Sequence, residues 1–451
     1  MSPLESSNPA RETFTSRFGL LMTMIGVAVG LGSLWRFPYM VGKFGGAPFV
    51  IVYVLIVVFI CIPALMAEWA LGRSTRQGPA GAFAAAGLPY GRQVGWFLFF
   101  VVAAATGYYT NVIGWVLYHA CSEFVAAFNL AFDAAEILPP LQGFSVKSFV
   151  LQALCSGLVI LACALVLLKG LRSGIEAMSK FIMPALLVIL IILIIRAVTL
   201  PGAAEGVAWY ILKFDLSALN GKVMFAALGQ AVFSLSLGGT FMVVYGSYLN
   251  RSDGLKMNAV WTAVGDTVAG LLAGFAIIPA VFAFGLEPAS GPGLIFFTLP
   301  KIFAAIPAGW LFGLLFYLGL FGAAYLSDLA AFEVLVAGLT DNTRLRRKQA
   351  VWLLSAIVFV LALLPMINME IFVPWDLTFG SGMQTLGALL TVVTVAWCMK
   401  RAEALKELAG ESASRFVLWL YWWLRFVIPG AIFLLGMWWL LTEVFKITGG
   451  V

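Results

Sequence analysis

Long runs of apolar residues, each about the length needed to cross a bilayer, alternate with short polar or glycine- and proline-containing segments along the chain. Since a membrane helix needs about 20 consecutive apolar residues, this pattern predicts an all-α membrane protein with eleven transmembrane helices. The predicted spans lie near residues 18–42, 46–71, 94–128, 148–168, 177–200, 222–249, 257–285, 307–338, 350–367, 375–399 and 416–446.

The composition agrees with this class. Of the 451 residues, 62% are hydrophobic and 11% are charged, whereas a soluble protein carries about 25% charged residues. The single histidine, His119, argues against histidine-based catalysis. The five cysteines show no paired spacing that would indicate a metal site. The sequence therefore predicts that the protein is not an enzyme.

The basic residues favour one side of the predicted membrane. Most of the 27 lysines and arginines fall in loops that share a side with residues 1–17. By the positive-inside rule we expect a cytoplasmic N-terminus and an outside C-terminus in the cell's inner (plasma) membrane. Because these residues are scattered over many loops, the net charge of +6 gives no support for nucleic-acid binding. Arg36 and Arg425 fall within predicted spans.

Two spans are interrupted. Gly30-Leu31-Gly32 breaks the first, and Ser234–Thr240 breaks the sixth. Since lipid cannot hydrogen-bond a loosened backbone, such breaks occur where they line a cavity or are buried in protein. Two breaks five spans apart predict an inverted five-plus-five helix repeat with broken helices 1 and 6, plus one extra helix. The alternative is that these glycines only permit close helix packing.

This repeat divides the chain into four parts. Residues 1–17 form a cytoplasmic segment, 18–200 the first five-helix repeat, 201–399 the inverted second repeat, and 400–451 a cytoplasmic loop with the eleventh helix. Substrate would bind near the membrane midplane, between the two breaks.

Motifs around both breaks resemble those of the neurotransmitter:sodium symporter family, in its bacterial branch of eleven-span amino-acid transporters. The resemblance covers nearly the whole chain, and the combination of motifs is highly specific. The matching segments are Arg11-Glu12, Ser16-Arg17-Phe18-Gly19, Gly30-Leu31-Gly32, Trp35-Arg36-Phe37-Pro38-Tyr39, Gly45-Gly46-Ala47 with Phe49, Glu68-Trp69-Ala70-Leu71-Gly72-Arg73, Tyr108-Tyr109, and Gln230 with Phe233-Ser234-Leu235-Ser236-Leu237-Gly238.

The resemblance implies an amino-acid site between the breaks. The substrate carboxylate would accept hydrogen bonds from N–H groups around Leu31 and Gly32 and from the Tyr109 hydroxyl. Gly30 leaves room for this carboxylate, which favours amino acids over amines. The groups implied for the ammonium are the carbonyls near Ala28, Phe233 and Ser234 and the Ser236 hydroxyl.

The resemblance also implies a roomy side-chain pocket. At the positions of Ala105, Gly239 and Ala331 the family's bacterial leucine transporter has bulkier residues. This pocket would therefore accept a large apolar or aromatic side chain of the substrate. The alternative is that Phe332 or Met242 fills the space. The implied lining is Val27, Ala105, Phe233, Gly239 and Ala331.

Two sodium ions are implied beside the substrate. The first would be held by the Ala28 carbonyl, Ser33, Ser234 and Asp266, which are oxygen ligands of the kind that hard cations prefer. The charge of Asp266 would take the place of chloride, so we expect no chloride requirement. The alternative for Asp266 is a neutral buried acid or one that faces a loop.

The second sodium site would use backbone carbonyls and two adjacent side chains. Ungapped alignment places Leu326 and Ser327 at the side-chain positions, and leucine cannot coordinate. A shift of one residue predicts Ser327 and Asp328 instead. The implied carbonyl groups are those of Gly26, Val29, and Ala323 or Ala324.

The resemblance implies a gate on each side of the site. Arg36 would pair with Asp376 outside, above Tyr109 and Phe233. Arg11 would pair with Asp341 on the cytoplasmic side, supported by Tyr248. The alternative is that these charges are ordinary solvated loop residues. Gly174 and Pro184 would let the inner end of span 5 unwind.

The prediction is a sodium-coupled symporter that imports neutral, large hydrophobic or aromatic amino acids by alternating access. It would bind its substrate within the lipid bilayer as a monomer or weak dimer. The alternatives are an amino-acid sensor, a channel, and a symporter for another small zwitterion.

Overall fold

The structure is a computed structural model that describes residues 12–130, 132–214, 219–287, 293–409 and 415–445, except for the side chains at positions 409, 443 and 444. Secondary structure in this part of the chain is helical. The main helices are α1 Arg17–Ala28, α2 Gly32–Lys43, α3 Ala47–Thr75, α4 Gly91–Ala126, α5 Val146–Leu167, α6 Leu171–Val198, α7 Gly221–Ser234, α8 Phe241–Gly246, α9 Leu255–Ala283, α10 Leu294–Ala305, α11 Gly309–Asn342, α12 Arg347–Leu363, α13 Met369–Cys398, α14 Arg401–Ala409 and α15 Arg415–Thr442.

The apolar helices confirm a multi-pass membrane fold. Within the described residues, eight helices are long and apolar enough to cross a bilayer, and the bent pair α1–α2 makes a ninth. The other two predicted spans are shorter in the structure. α7 ends at the second break after 14 residues, and α12 has 17 residues. The count of eleven spans and the inverted repeat stay predictions.

The bundle has a clear centre and periphery. α4 and α11 pack along each other in the interior. In the most apolar stretch of α4, 78% of the residues are buried, against 22% in α15. Polar side chains on α4 therefore lie inside protein, where they can find partners, whereas α15 presents most of its surface to lipid.

The first break lies where the sequence predicts it. α1 ends at Ala28, Val29 is extended (φ −70°, ψ 110°), and the axes of α1 and α2 differ by 56°. The side chain of Ser16 caps the start of α1 by accepting a hydrogen bond from the Gly19 N–H. A break of this kind exposes carbonyl groups at the end of one half-helix and N–H groups at the start of the next.

The second break, residues 235–240, is conformationally strained. Ser236, Gly238 and Thr240 all adopt left-handed backbone angles, with φ of 52°, 86° and 57°. Two of them are not glycine, so the surroundings must hold this segment in place. Glu68 does so from α3, because its Oε1 accepts a hydrogen bond from the Gly238 N–H at 2.7 Å. A Cβ at position 238 would collide with the backbone of Gln384, which explains the glycine.

Candidate functional site

A central cavity of about 50 Å³ lies between the two breaks. Eight of the twelve residues predicted for the substrate site line it. Its lining consists of Ala28, Gly30, Gly32, Ala105, Thr106, Tyr108, Tyr109, Phe233, Ser236, Phe241, Ser327, Ala331 and Gln384. None of these side chains is charged, so the cavity suits a ligand whose own charges are met by backbone groups and hydroxyls.

Backbone groups of the first break point at polar side chains around this cavity. The Leu31 N–H donates to the Tyr109 hydroxyl at 3.1 Å, and the Ser236 hydroxyl donates to the Val27 carbonyl at 3.0 Å. A Cβ at Gly30 would lie 2.5 Å from Ser327 Oγ and 2.6 Å from the Tyr109 hydroxyl. A side chain at position 30 would have to displace Ser327 or Tyr109, so glycine lets both hydroxyls approach the first break. The predicted carboxylate contacts around Leu31 and Tyr109 lie together there.

Asp266 lies at the centre of a buried group of oxygen atoms beside the cavity. Its Oδ1 accepts a hydrogen bond from Ser33 at 2.5 Å, and its Oδ2 accepts one from Ser234 at 2.8 Å. The two serine hydroxyls are 2.9 Å apart, and the Tyr53 hydroxyl lies 3.5 Å from Oδ2. The structure thus brings together the three side chains predicted for the first sodium ion, one from each of α2, α7 and α9. Asp266 is fully buried and does not face a loop.

Ser327 on α11 faces the carbonyl groups at the end of α1. Its Oγ lies 3.5 Å from the Gly26 oxygen, 3.3 Å from that of Val27 and 3.2 Å from that of Val29. Ala323 and Ala324 are fully buried one turn earlier on the same helix. The Ser327 hydroxyl and the carbonyls of Gly26 and Val29, three of the oxygens predicted for a second sodium ion, thus lie together, with the Val27 carbonyl as an addition.

Asp328 does not join this group in the structure. Its carboxylate accepts hydrogen bonds from the Thr110 hydroxyl at 3.2 Å and from the Cys163 thiol at 3.7 Å. It therefore faces α4 and α5, because neighbouring residues on a helix point about 100° apart. The side chain of Leu326 instead packs 2.9 Å from the position of a Cβ at Gly26. Of the predicted pair, Ser327 alone reaches the first break.

The side-chain end of the cavity is narrower than the sequence indicates. Ala105 and Ala331 line it as predicted, but the ring of Phe241 lies against Gly239 and occupies the space that this glycine leaves. The alternative considered from the sequence was that Phe332 or Met242 fills this space. Both are fully buried, but neither lines the cavity. Phe241, the residue before Met242, is the side chain that lines the cavity.

An outer cavity of about 320 Å³ lies on the other side of Tyr108, Tyr109 and Phe233, which line both cavities. Arg36 and Asp376 also line this outer cavity. The Arg36 guanidinium lies 4.6 Å from the centroid of the Phe233 ring, and its Nη1 donates to Ser381 Oγ at 3.4 Å. Among the described residues, no ion pair joins Arg36 to Asp376.

The start of the described chain is hydrogen-bonded to α6. The Leu171 N–H donates to Glu12 at 2.8 Å, and Arg172 Nε donates to the Thr13 carbonyl at 2.7 Å. These bonds tie residues 12–15 to α6, whose first turn, Leu171–Glu176, is π-helical and contains Gly174. Pro184 lies further along the same helix.

Of the residues predicted for the inner gate, the structure describes Asp341 and Tyr248. Arg11 lies outside the described residues. The Asp341 carboxylate accepts a hydrogen bond from the Gly78 N–H at 2.6 Å. Tyr248 donates to Glu333 at 2.6 Å, and Glu333 also forms an ion pair with Arg347 at 2.6 Å. The sequence reasoning missed this pair, although an acidic residue inside an apolar helix was a signal for it.

A small uncharged cavity between two helix breaks, in a multi-pass membrane fold, is typical of a transporter site. The comparisons identify the family. The model of the sodium:neurotransmitter symporter family matches residues 11–137 and 147–446. The chain therefore belongs to this family, and it is a sodium-dependent multi-pass membrane transporter and not an enzyme.

Individual relatives cover almost the whole chain. An uncharacterized sodium-dependent transporter of Haemophilus influenzae is 32% identical over 450 residues, which cover 94% of this chain and 97% of that protein. The sodium-dependent transporter YhdH of Bacillus subtilis is 31% identical over 442 residues, with coverage of 93% and 95%. The crystal structure of MhsT in complex with L-phenylalanine superimposes with a TM-score of 0.83 at 32% identity, covering 95% of this chain and 99% of that one.

Proposed function

We propose that this protein is a sodium-coupled symporter that imports neutral amino acids with large apolar or aromatic side chains. The observation that carries the proposal is the group formed by Ser33, Ser234 and Asp266, buried beside a cavity at two helix breaks. A buried carboxylate inside a membrane is costly unless a cation neutralises it. A sodium ion bound by these three oxygens would supply that charge and couple its entry to that of the substrate.

The substrate would bind as a zwitterion. Its carboxylate would lie at the Leu31 N–H and the Tyr109 hydroxyl, which are 3.1 Å apart and border the space kept open by Gly30. Its ammonium would face the carbonyl groups near Ala28, Phe233 and Ser234, with the Ser236 hydroxyl nearby. The uncharged lining supports a neutral side chain. The bound L-phenylalanine of MhsT, a protein of the same fold, also supports an amino acid.

A large side chain requires Phe241 to move. A cavity of about 50 Å³ is smaller than the pockets that enclose drug-sized ligands, which span roughly 300–1,000 Å³. Rotation of the Phe241 ring away from Gly239 would open the space between Ala105 and Ala331. In this proposal Phe241 closes over small substrates and turns aside for large ones.

Two sodium ions would accompany the substrate, without chloride. The first would bind Ser33, Ser234, Asp266 and the Ala28 carbonyl. The second would bind Ser327 with the carbonyls of Gly26 and Val29 and that of Ala323 or Ala324. Asp328 is left out of this second site because its carboxylate is directed at Thr110 and Cys163. The fixed charge of Asp266 would take the electrostatic place of chloride.

Transport would proceed by alternating access in an eleven-span protein with a cytoplasmic N-terminus. Tyr109 and Phe233 separate the central and outer cavities, which argues for gates around one site and against a continuous channel. Pairing of Arg36 with Asp376 would close the outer side. Release of residues 12–15 from α6, with unwinding between Gly174 and Pro184, would open the inner side.

Binding of labelled amino acids to the purified protein tests the proposal. We expect leucine, phenylalanine, tyrosine or tryptophan to bind in sodium and to be displaced poorly by glycine or by charged amino acids. The same assay in choline should show little binding. Equal binding in sodium and choline would contradict coupling, and selective binding of glycine would contradict the proposed side-chain class.

A further inference from the structure

Arg425 carries a full charge within the first half of α15, far in sequence from the transport site. Its Nη1 donates to the Tyr421 hydroxyl at 3.2 Å. Its guanidinium carbon lies 5.0 Å from the centroid of the Trp397 ring and 5.8 Å from that of Trp422. Among the described residues it has no ion-pair partner, and its Nε is buried without a hydrogen-bond partner. A cation in a membrane helix therefore lacks a described counter-charge, which is a costly arrangement.

The Arg425 side chain is directed toward the start of α15. Tyr421 lies one turn before Arg425, so the side chain points back to the start of α15, in the usual direction for a helix. Arg401, the first residue of α14, lies against rings of the same group. The Arg401 guanidinium lies 5.8 Å from the same Trp422 ring and 5.7 Å from Tyr421. Two arginines thus flank one tryptophan that is 46% exposed.

Two π-helical turns position Arg425 and Trp397 next to each other. Arg425 lies on the π-helical turn Trp423–Val427, and Trp397 lies on the π-helical turn Thr394–Cys398. Trp397 Nε1 donates to the Arg425 carbonyl at 2.9 Å, which joins the two turns. Such π-helical turns often mark functional sites. The guanidinium is therefore held among aromatic rings, and one of its N–H groups, on Nη1, donates to Tyr421, whereas its buried Nε–H has no described partner.

We propose that Trp397, Arg401, Tyr421, Trp422 and Arg425, the Arg425 cluster, bind the headgroup phosphate of an anionic phospholipid. The planar N–H groups of arginine match phosphate oxygens, and indole rings occupy the headgroup level of a bilayer. Two arginines without a described carboxylate partner favour a lipid of net negative charge over a zwitterionic one. By the positive-inside interpretation this lipid belongs to the cytoplasmic leaflet.

Native mass spectrometry of the full-length protein tests this proposal with defined lipids. Phosphatidylglycerol and phosphatidylethanolamine with identical acyl chains are titrated separately, and bound lipid is counted. We expect the wild type to prefer phosphatidylglycerol, and Arg425→Gln and Arg401→Gln each to weaken that binding about fivefold, the effect of one arginine at a charged membrane surface. Arg92→Gln, which alters an exposed arginine at the start of α4, is the matched control and should bind like the wild type.

The outcomes separate lipid binding from a structural role. If Arg425→Gln fails to fold, Arg401→Gln carries the test, because Arg401 is exposed. Equal binding of both lipids by the wild type overturns the proposal. An unchanged preference in folded variants, even with lowered thermal stability, also overturns it, since that result assigns the cluster to packing of α15 on α13. Competition by millimolar inorganic phosphate, without lipid selectivity, would overturn the lipid assignment as well.

Discussion

Replacing Asp266 with asparagine removes one charge from the proposed first sodium site and keeps the shape of the side chain. The carboxylate contacts the hydroxyls of Ser33 and Ser234 at 2.5 and 2.8 Å. A sodium ion bound by both hydroxyls would therefore lie within about 4 Å of the carboxylate, since hard cations bind oxygen ligands at short distances. The asparagine carbonyl can still coordinate, so the change reports chiefly on charge.

The expected effect on sodium binding is large. Two unit charges 4 Å apart interact by about 4 kcal/mol at the effective dielectric constant of about 20 that describes most protein sites. Each 1.4 kcal/mol changes an affinity tenfold. The asparagine variant should therefore need between about tenfold and about a thousandfold more sodium for half-maximal substrate binding, the lower figure allowing for water or another anion that replaces the charge.

Sodium titrations of substrate binding, in chloride-free buffer, measure this shift. Glu370→Gln is the matched control, because Glu370 is an exposed carboxylate in the first turn of α13, and its described hydrogen bond is to Gln142. It should titrate like the wild type. An Asp266→Asn variant with wild-type sodium dependence would remove Asp266 from the ion site and refute the electrostatic argument.

Three further predictions concern the same site. Replacing chloride with gluconate at fixed sodium should leave wild-type uptake unchanged, and a severalfold fall would show that Asp266 does not take the anion's place. Tyr109→Phe should weaken substrate binding by about 1–3 kcal/mol, because the Leu31 N–H and the substrate carboxylate lose a shared partner; an unchanged competition curve would exclude this contact. Phe241→Ala should raise uptake of tryptophan relative to leucine, because it removes the ring that lies against Gly239. Gly239→Phe should overfill the cavity, at a cost of about 1–3 kcal/mol, and favour smaller substrates. An unchanged ratio of tryptophan to leucine uptake in both variants would show that neither residue sets substrate size.

The membrane fold follows from the sequence because hydrophobic length is a local property. The break at Gly30 was also predictable, since an uninterrupted helix in lipid disfavours both clustered glycines and an arginine, whereas a break inside protein accommodates them. The geometry at Asp266 agrees with the ligand set implied by family motifs, because its partners Ser33 and Ser234 belong to or lie beside those motifs.

Side-chain direction was harder to predict. Asp328 and Ser327 are neighbours whose side chains point to different faces of α11. A one-residue ambiguity in the alignment therefore led to the prediction that the Asp328 carboxylate lies at the end of α1, whereas the structure directs it at Thr110 on α4. Phe241 lines the cavity directly after Thr240, whose left-handed backbone is a feature that hydrophobic periodicity does not indicate. The ion pair of Glu333 with Arg347 joins two helices, and such long-range partners cannot be read from composition.

Uptake driven by an imposed sodium gradient tests the central claim most directly. Proteoliposomes loaded with potassium would be diluted into sodium buffer containing labelled phenylalanine or leucine, with empty liposomes as the control. Sodium-coupled symport predicts transient accumulation above the external concentration, lost when choline replaces sodium. Uptake that is equally fast in choline, or that never exceeds equilibration in sodium, would contradict sodium-coupled amino-acid transport by this protein.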